Sequence, residues 1–328
     1  MINSPLVSII ATFYNSGEFV TSAMDTLLNQ SYKNIEFICI NDGSTDNTLE
    51  RLKIFAEKDK RIKLYSKENE NSPHNALAYG QERINGDYVM SFDHDDSLSI
   101  DAIELGVKSL LENPSWDASL FRVFTVNNRI KNEDLKKRPT KPLTGKEAVI
   151  ACVKGFEYSI RPFYKSKIYK SVNYRFKNTW QNYDEYIGIK ILGNCSNIGL
   201  NNGIYYYHDN PNSITSNIKF RHIEALEVHF LLMKDYLIKT NIYDEIKDSY
   251  ENIIFKRLNN TVNYYYNSVL KNITINNKEQ EYANNLFKRC YDKLNKDLLV
   301  KNSNGLSKIY LKLIFSNFII YSFFRKLK

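Results

Sequence analysis

The chain has 328 residues, 43% of them hydrophobic and 25% charged, which is the composition of an ordinary globular protein with one large or two ordinary domains. Its formal net charge of +8 suits anionic partners, among them nucleotide diphosphates, anionic lipid and nucleic acid, without choosing between them. The four cysteines, Cys39, Cys152, Cys195 and Cys290, lie far apart with no CxxC pair, which argues against a zinc site or a disulfide framework and suits a reducing cytoplasm.

From Met1 to Pro5 the sequence goes straight into a strand-like segment, with no basic and apolar leader. Leu6 to Ala11 is the first apolar run, and Val20, Ala23, Met24, Leu27 and Leu28 then recur at helical spacing. A second run, Ile35 to Ile40, leads into the turn Asn41-Asp42-Gly43-Ser44, followed by Leu49, Leu52, Phe55 and Ala56 on one helical face. Ile62 to Tyr65 is a third strand, and Pro73 to Arg83 a third helix. The fourth strand, Tyr88 to Phe92, ends in Asp93-His94-Asp95-Asp96. Strands alternating with helices of this length imply a mainly parallel sheet covered on both faces, an α/β fold of Rossmann-like type.

Three carboxylates arriving together at the end of a buried strand repel one another. A hard divalent cation, Mg²⁺ or Mn²⁺, relieves that repulsion, and such ions take phosphate oxygens as further ligands. The same residues also read as a solvated turn before a helix begun by Ser97-Leu98-Ser99-Ile100-Asp101, because Asp is common at helix caps. Position favours the ligand site. Thr12, Tyr14 and Asn15 follow strand one, Asp42 follows strand two and Asp93 to Asp96 follow strand four, and parallel sheets bind ligands beyond the carboxyl ends of their strands.

Further along, Ala118 to Val126 is strand-like, Lys131 to Lys141 is a charged loop, and Ile204 to His208 is another strand. Beyond Ser216 the signals are mostly helical, including Ile253 to Leu270. The last stretch, Leu306 to Lys328, mixes Lys308, Lys312, Arg325, Lys326 and Lys328 with apolar residues, and its longest uncharged run, Leu313 to Phe324, is too short to span a bilayer. It reads either as an interfacial helix on an anionic membrane surface or as a core helix closing the C-terminal region.

The blocks Val7 to Asn15, Asn41 to Asp46, Asn75-Ala76-Leu77 with Gly86-Asp87-Tyr88, and Phe92 to Asp96 together resemble the family 2 glycosyltransferases, which have a GT-A fold. The resemblance covers roughly Pro5 to Thr215. It implies a nucleotide-sugar-binding half over residues 1–110 and an acceptor-binding half over 111–215, while the helical signals beyond them give a helical C-terminal region over 216–328. It also implies a donor, most often a UDP-sugar, with Thr12 and Tyr14 flanking the nucleoside and Asp42 accepting a hydrogen bond from the base. His74 stands where many relatives have Arg, and Thr12 where many have Pro, which leaves the donor's identity open. By position Asp93 faces the ribose or donor sugar and Asp95 or Asp96 holds Mn²⁺ or Mg²⁺. His208, in Tyr206-Tyr207-His208-Asp209-Asn210, contacts phosphate or metal, or is a satisfied structural histidine.

Relatives carry a Glu-Asp pair where this chain has Asp184-Glu185. Glu185 takes the place of the catalytic base and Asp184 is the alternative, while a plain helix N-terminus would also favour acidic residues there. The implied reaction is an inverting, metal-dependent transfer of one hexose-type sugar to a hydroxyl of a bacterial surface glycan or glycolipid. No Gln-x-x-Arg-Trp motif of processive synthases appears, so single-sugar addition is expected, and nucleic acid is not an expected partner. A nucleotidyltransferase or other phosphosugar enzyme on a related fold, and a non-catalytic binding module, are the alternatives.

Overall fold

A computed structural model describes residues 4–70, 72–127, 130–133, 139–155, 162–175, 183–208, 210, 223, 226, 228–265 and 276–305. Its first elements are β1 (Val7–Phe13), α1 (Val20–Leu28), β2 (Ile35–Asp42), α2 (Thr48–Lys58), β3 (Ile62–Lys67), α3 (Pro73–Gln81) and β4 (Tyr88–Asp93). The strands lie in the order β3-β2-β1-β4 and each neighbouring pair is parallel. β2 is buried along its whole length and β1 everywhere but Thr12, as strands covered on both faces require. α1 buries Val20, Ala23, Met24 and Leu27, one stripe at helical spacing, into a core with Val7, Ile9, Ala11 and Phe13 of β1.

The sheet continues through β5 (Ser97–Leu98), α4 (Ala102–Glu112), β6 (Ala118–Asn127), β7 (Ile130–Glu133), β8 (Leu143–Thr144), α5 (Gly145–Val153), β9 (Phe163–Lys165), α6 (Ser166–Tyr169), α7 (Tyr183–Gly193) and β10 (Asn197–His208). Beyond β4 the order is β9-β6-β10-β5, with β7 on β6 and β8 on β10. β9 is antiparallel to both β4 and β6, so it joins the parallel first half to the β6/β10 pair, which is itself parallel. The register of β10 on β6 shifts between Leu200 and Ile204. Asn201 holds that irregularity, with Nδ2 donating to Ser119 Oγ at 2.9 Å and Oδ1 accepting from Gly203 N at 2.9 Å.

Two local expectations are corrected. Residues 131–133, expected within a charged loop, belong to β7 against β6, because backbone pairing is indifferent to charge and charged residues suit a sheet edge. Ser97 does not begin a helix. Ser97 and Leu98 pair antiparallel with Tyr206 and Tyr205, and α4 starts only at Ala102.

The chain divides into two compact units, Met1–Asn178 with Ile187–Pro211 and Thr179–Tyr186 with Asn212–Lys328. The second contains a π-helical turn at Val228–Met233, α8 (Lys234–Lys239), α9 (Tyr243–Tyr264), α10 (Asn277–Asp292) and α11 (Lys296–Lys301). α9 starts ten residues before the expected Ile253 and buries Ile246, Tyr250, Ile254, Leu258 and Val262 on one face. Asn276 and Glu279 form a capping box that starts α10. Glu251, 1% exposed, accepts from Lys234 Nζ at 2.5 Å, Tyr243 Oη at 2.7 Å and Asn295 N at 2.8 Å. Those bonds are what make a buried carboxylate tolerable. Among the described residues no helix is long and apolar enough to cross a membrane. The amphipathic tail, residues 306–328, lies outside the described residues.

Candidate active site

The carboxyl ends of β1 and β4 are in register, with Thr12 opposite Asp93, and Asp42 at the end of β2 is opposite Lys67 at the end of β3. The loop after β1 is clasped to the loop after β2. Asn15, in the left-handed region at φ 47°, donates its N–H to Ser44 Oγ at 3.0 Å and accepts from Thr45 N at 2.8 Å through Oδ1. Gly17 N donates to Asp46 Oδ2 at 3.0 Å and Ser16 N to Thr48 Oγ1 at 2.8 Å. Asn tolerates that backbone better than most residues, which is why it serves here. The clasp presents Tyr14, 49% exposed, at the strand end.

Asp42 is 4% exposed and its Oδ1 lies 2.8 Å from Lys67 Nζ. Burial raises the pKa of this carboxyl, and the Lys67 ammonium works in the opposite direction. Burial likewise works to lower the pKa of Lys67, but its bonds to Asp42 and Glu70 outweigh that and the net shift is upward. Gly43 turns the chain away with φ 69°, and a Cβ there would sit 2.6 Å from Asn69 N. His74 is buried in the first turn of α3, next to Pro73. Its neighbour Asn75 donates from Nδ2 to Glu70 Oε2 at 2.8 Å.

The Asp93–Asp96 turn closes through Asp96 N donating to Asp93 O at 3.1 Å. One carboxylate oxygen from each of Asp93, Asp95 and Asp96 lies within 4.8 Å of the other two. Asp96 is buried at 4% exposure. Tyr205 Oη donates to its Oδ2 at 2.6 Å and His208 N to its Oδ1 at 3.0 Å. Asp95 Oδ2 accepts from Asn210 Nδ2 at 3.0 Å. His208 Nε2 lies 2.8 Å from Ser97 Oγ.

His94 turns inward, between Phe13 and Phe19 with ring centroids 5.9 and 5.7 Å away. Burial lowers the pKa of its imidazole, so the ring is neutral near pH 7, and its Nδ1–H donates to the Thr12 carbonyl at 3.2 Å. The carbonyl can only accept, which fixes that tautomer. A clustered set of hard carboxylate oxygens fits Mg²⁺ or Mn²⁺.

Thr12, Tyr14, Asp42, Asp93, Asp95, Asp96 and His208 therefore share the carboxyl edge of one sheet. Asp184 and Glu185 are the second and third residues of α7 and belong to the second unit. Residues 180–182 and 209 of the expected motifs lie outside the described residues. The sequence alone assigns no role to Lys67, His94 and Tyr205. Lys67 is recognisable only through its register with Asp42, and Tyr205 only through the shift in β10.

The profile of the family described as Glycosyl transferase family 2 matches residues 8–184, more than half of the chain. An uncharacterised glycosyltransferase of Haemophilus influenzae is 39% identical over 112 residues, 34% of this chain and 45% of that protein. The cholesterol galactosyltransferase of Borreliella burgdorferi is 34% identical over 143 residues, 43% of this chain and 40% of that protein. The chain thus spans less than half the length of these curated relatives. The S. aureus TarS 1–349 structure in complex with UDP-GlcNAc superposes with a TM-score of 0.69 at 17% identity, covering 94% of this chain and 88% of that one. At that identity the likeness is one of fold, and the fold is GT-A. Together with the family match, it places the chain in glycosyl transferase family 2.

Proposed function

We propose that the protein is an inverting, metal-dependent glycosyltransferase that moves a single hexose-type sugar from a nucleotide-sugar, a UDP-sugar in the first instance, to a hydroxyl of a bacterial surface glycan or glycolipid. The observation that carries this reading is the gathering of three carboxylates at the end of β4, in the sheet whose neighbouring strand ends present Tyr14 and Asp42. A bound UDP-GlcNAc in the TarS structure of the same fold supports the choice of donor class.

In this reading Tyr14 offers an aromatic face to the base, Asp42 accepts from the base, and Thr12 and His74 line the nucleoside. Asp93 accepts from the ribose or donor sugar. Asp95 would hold Mn²⁺ or Mg²⁺, with Asp96 as the alternative ligand and His208 toward the diphosphate or the metal. The cation, when bound, offsets the negative charge that grows on the departing nucleoside diphosphate. Glu185, or Asp184 beside it, takes the proton of the acceptor hydroxyl, and direct attack of that oxygen at the anomeric carbon inverts its configuration. The basic and apolar residues of 306–328 would rest on an anionic membrane surface, which suits a glycolipid acceptor.

A thermal-shift panel of UDP-, GDP-, CMP- and dTDP-sugars with Mn²⁺ tests the reading. A true donor at 100 times its Kd stabilises the folded state by about 2.7 kcal/mol, so a UDP-sugar is expected to raise the melting temperature by several degrees. No shift with any of the four would overturn it.

A further inference from the structure

Lys67 ends β3 beside the residue proposed to read the base, and a cation in that place invites assignment as a phosphate contact. Its hydrogen bonds point elsewhere. An ammonium has three protons to donate. Nζ of Lys67 donates to Asp42 Oδ1 at 2.8 Å and to the Glu68 carbonyl at 2.5 Å, and it lies 3.1 Å from Glu70 Oε1. All three protons are therefore engaged within the protein, and the Lys67 side chain is 9% exposed. Asp42 Oδ1 is occupied by this pair. Its main-chain carbonyl accepts from Asn69 Nδ2 at 2.9 Å, and among the described residues Oδ2 takes no protein donor.

We propose that Lys67 is a positioning residue for nucleotide selection: it holds Asp42 as an oriented anion whose second oxygen accepts a ring N–H of the base. The site then takes the imide edge of uracil or thymine. It rejects cytosine, which presents an unprotonated ring nitrogen at the same place. This rests on the nucleotide-sugar reading given above.

The surroundings of Asp42 support the role. Burial alone pushes its carboxyl toward the protonated form. Lys67 opposes this, and Glu70 adds a weaker push toward protonation. Glu70 is in turn held by Lys67 and by Asn75, with the positive charge of Arg175 also acting on it. Without the Lys67 ammonium, burial and Glu70 act unopposed. Asp42 then takes up a proton at a higher pH and, once protonated, can donate to a ring nitrogen instead of accepting from one.

Calorimetric titration of UDP and of CDP in the presence of Mn²⁺ tests this on the full chain. The variants are Lys67→Met, Asp42→Asn and the two combined, each checked by its melting temperature. The wild type is expected to prefer UDP. Lys67→Met is expected to weaken UDP binding by about tenfold or more, the scale of one hydrogen bond to a charged group, and increasingly so as pH falls from about 8 to about 5.5. CDP binding should weaken less or improve. In the Asp42→Asn background, Lys67→Met should change UDP affinity little, because the lysine acts through the lost carboxylate.

Equal weakening of UDP and CDP at every pH, or effects that add in the double variant, would overturn the proposal and make Lys67 a phosphate contact. Lys67→Arg keeps a cation at Asp42 and covers the case in which Lys67→Met does not fold. It should retain the UDP preference, and loss of that preference would overturn the proposal. If the wild type binds neither nucleotide, the nucleotide-sugar reading itself falls, an outcome distinct from failure of the role of Lys67.

Discussion

Tyr205, 1% exposed on β10, donates its hydroxyl to Asp96 Oδ2 at 2.6 Å, across a separation of 109 residues. This bond, with His208 N on the other oxygen, ties the acidic turn after β4 to a strand from the second half of the sheet. Tyr205→Phe removes one hydrogen bond to a buried carboxylate, a loss of about 1.5–3 kcal/mol. The expected result is a lower melting temperature and an Mn²⁺ half-saturation concentration raised about tenfold, read by metal titration. An unchanged metal midpoint would mean that Tyr205 serves the fold alone.

Asp95 and Asp96 are expected to fail differently. Asp95→Asn should remove most Mn²⁺ binding while leaving the melting temperature near that of the wild type, because the turn's other bonds persist. Asp96→Asn keeps one acceptor oxygen but turns an amide NH₂ toward one of two protein donors, Tyr205 Oη or His208 N, so it should lower the melting temperature as well. Calorimetric metal titration with parallel thermal denaturation distinguishes the two.

Glu185→Gln and Asp184→Asn identify the base. Removing a general base costs about 10²–10⁴-fold in kcat, and the variant that loses it should bind donor as the wild type does. The other variant should stay within a few-fold of wild-type kcat. Steady-state kinetics with a purified acceptor, combined with donor titration, checks both. If neither changes kcat, the base lies elsewhere.

Two glycines separate site from scaffold. Gly43→Ala places a Cβ at φ 69° and 2.6 Å from Asn69 N, beside Asp42, so it should cost about 1–2 kcal/mol of stability and also weaken donor binding. In Gly86→Ala the new Cβ meets Leu6 O at 2.7 Å at the opposite end of β1, so stability should fall with donor KM unchanged. Urea denaturation and donor kinetics read the pair.

The first four strands and three helices were legible because each apolar run and helical stripe is local, and parallel pairing follows from their alternation. The shared edge of Thr12, Tyr14, Asp42 and the acidic turn follows from the same alternation, since every such strand ends on one side of the sheet. The antiparallel insertion of β9 between β4 and β6 was not legible: Phe163–Lys165 is three residues long and carries no periodicity. Nor was the bracing of Asp96, which depends on the register shift at Leu200 and Ile204 that sets the phase of Tyr205. Lys67 escaped notice for a related reason, since one lysine in a basic chain acquires meaning only from the carboxylate opposite it.

The most direct test of a metal-dependent transfer from a nucleotide-sugar is UDP release from a UDP-sugar, with and without Mn²⁺, by the wild type and by Asp95→Asn. The expected result is release by the wild type that needs Mn²⁺ and is abolished by chelation, and none above background by the variant. Release that is equal with and without the metal, or equal in the wild type and Asp95→Asn, would contradict it.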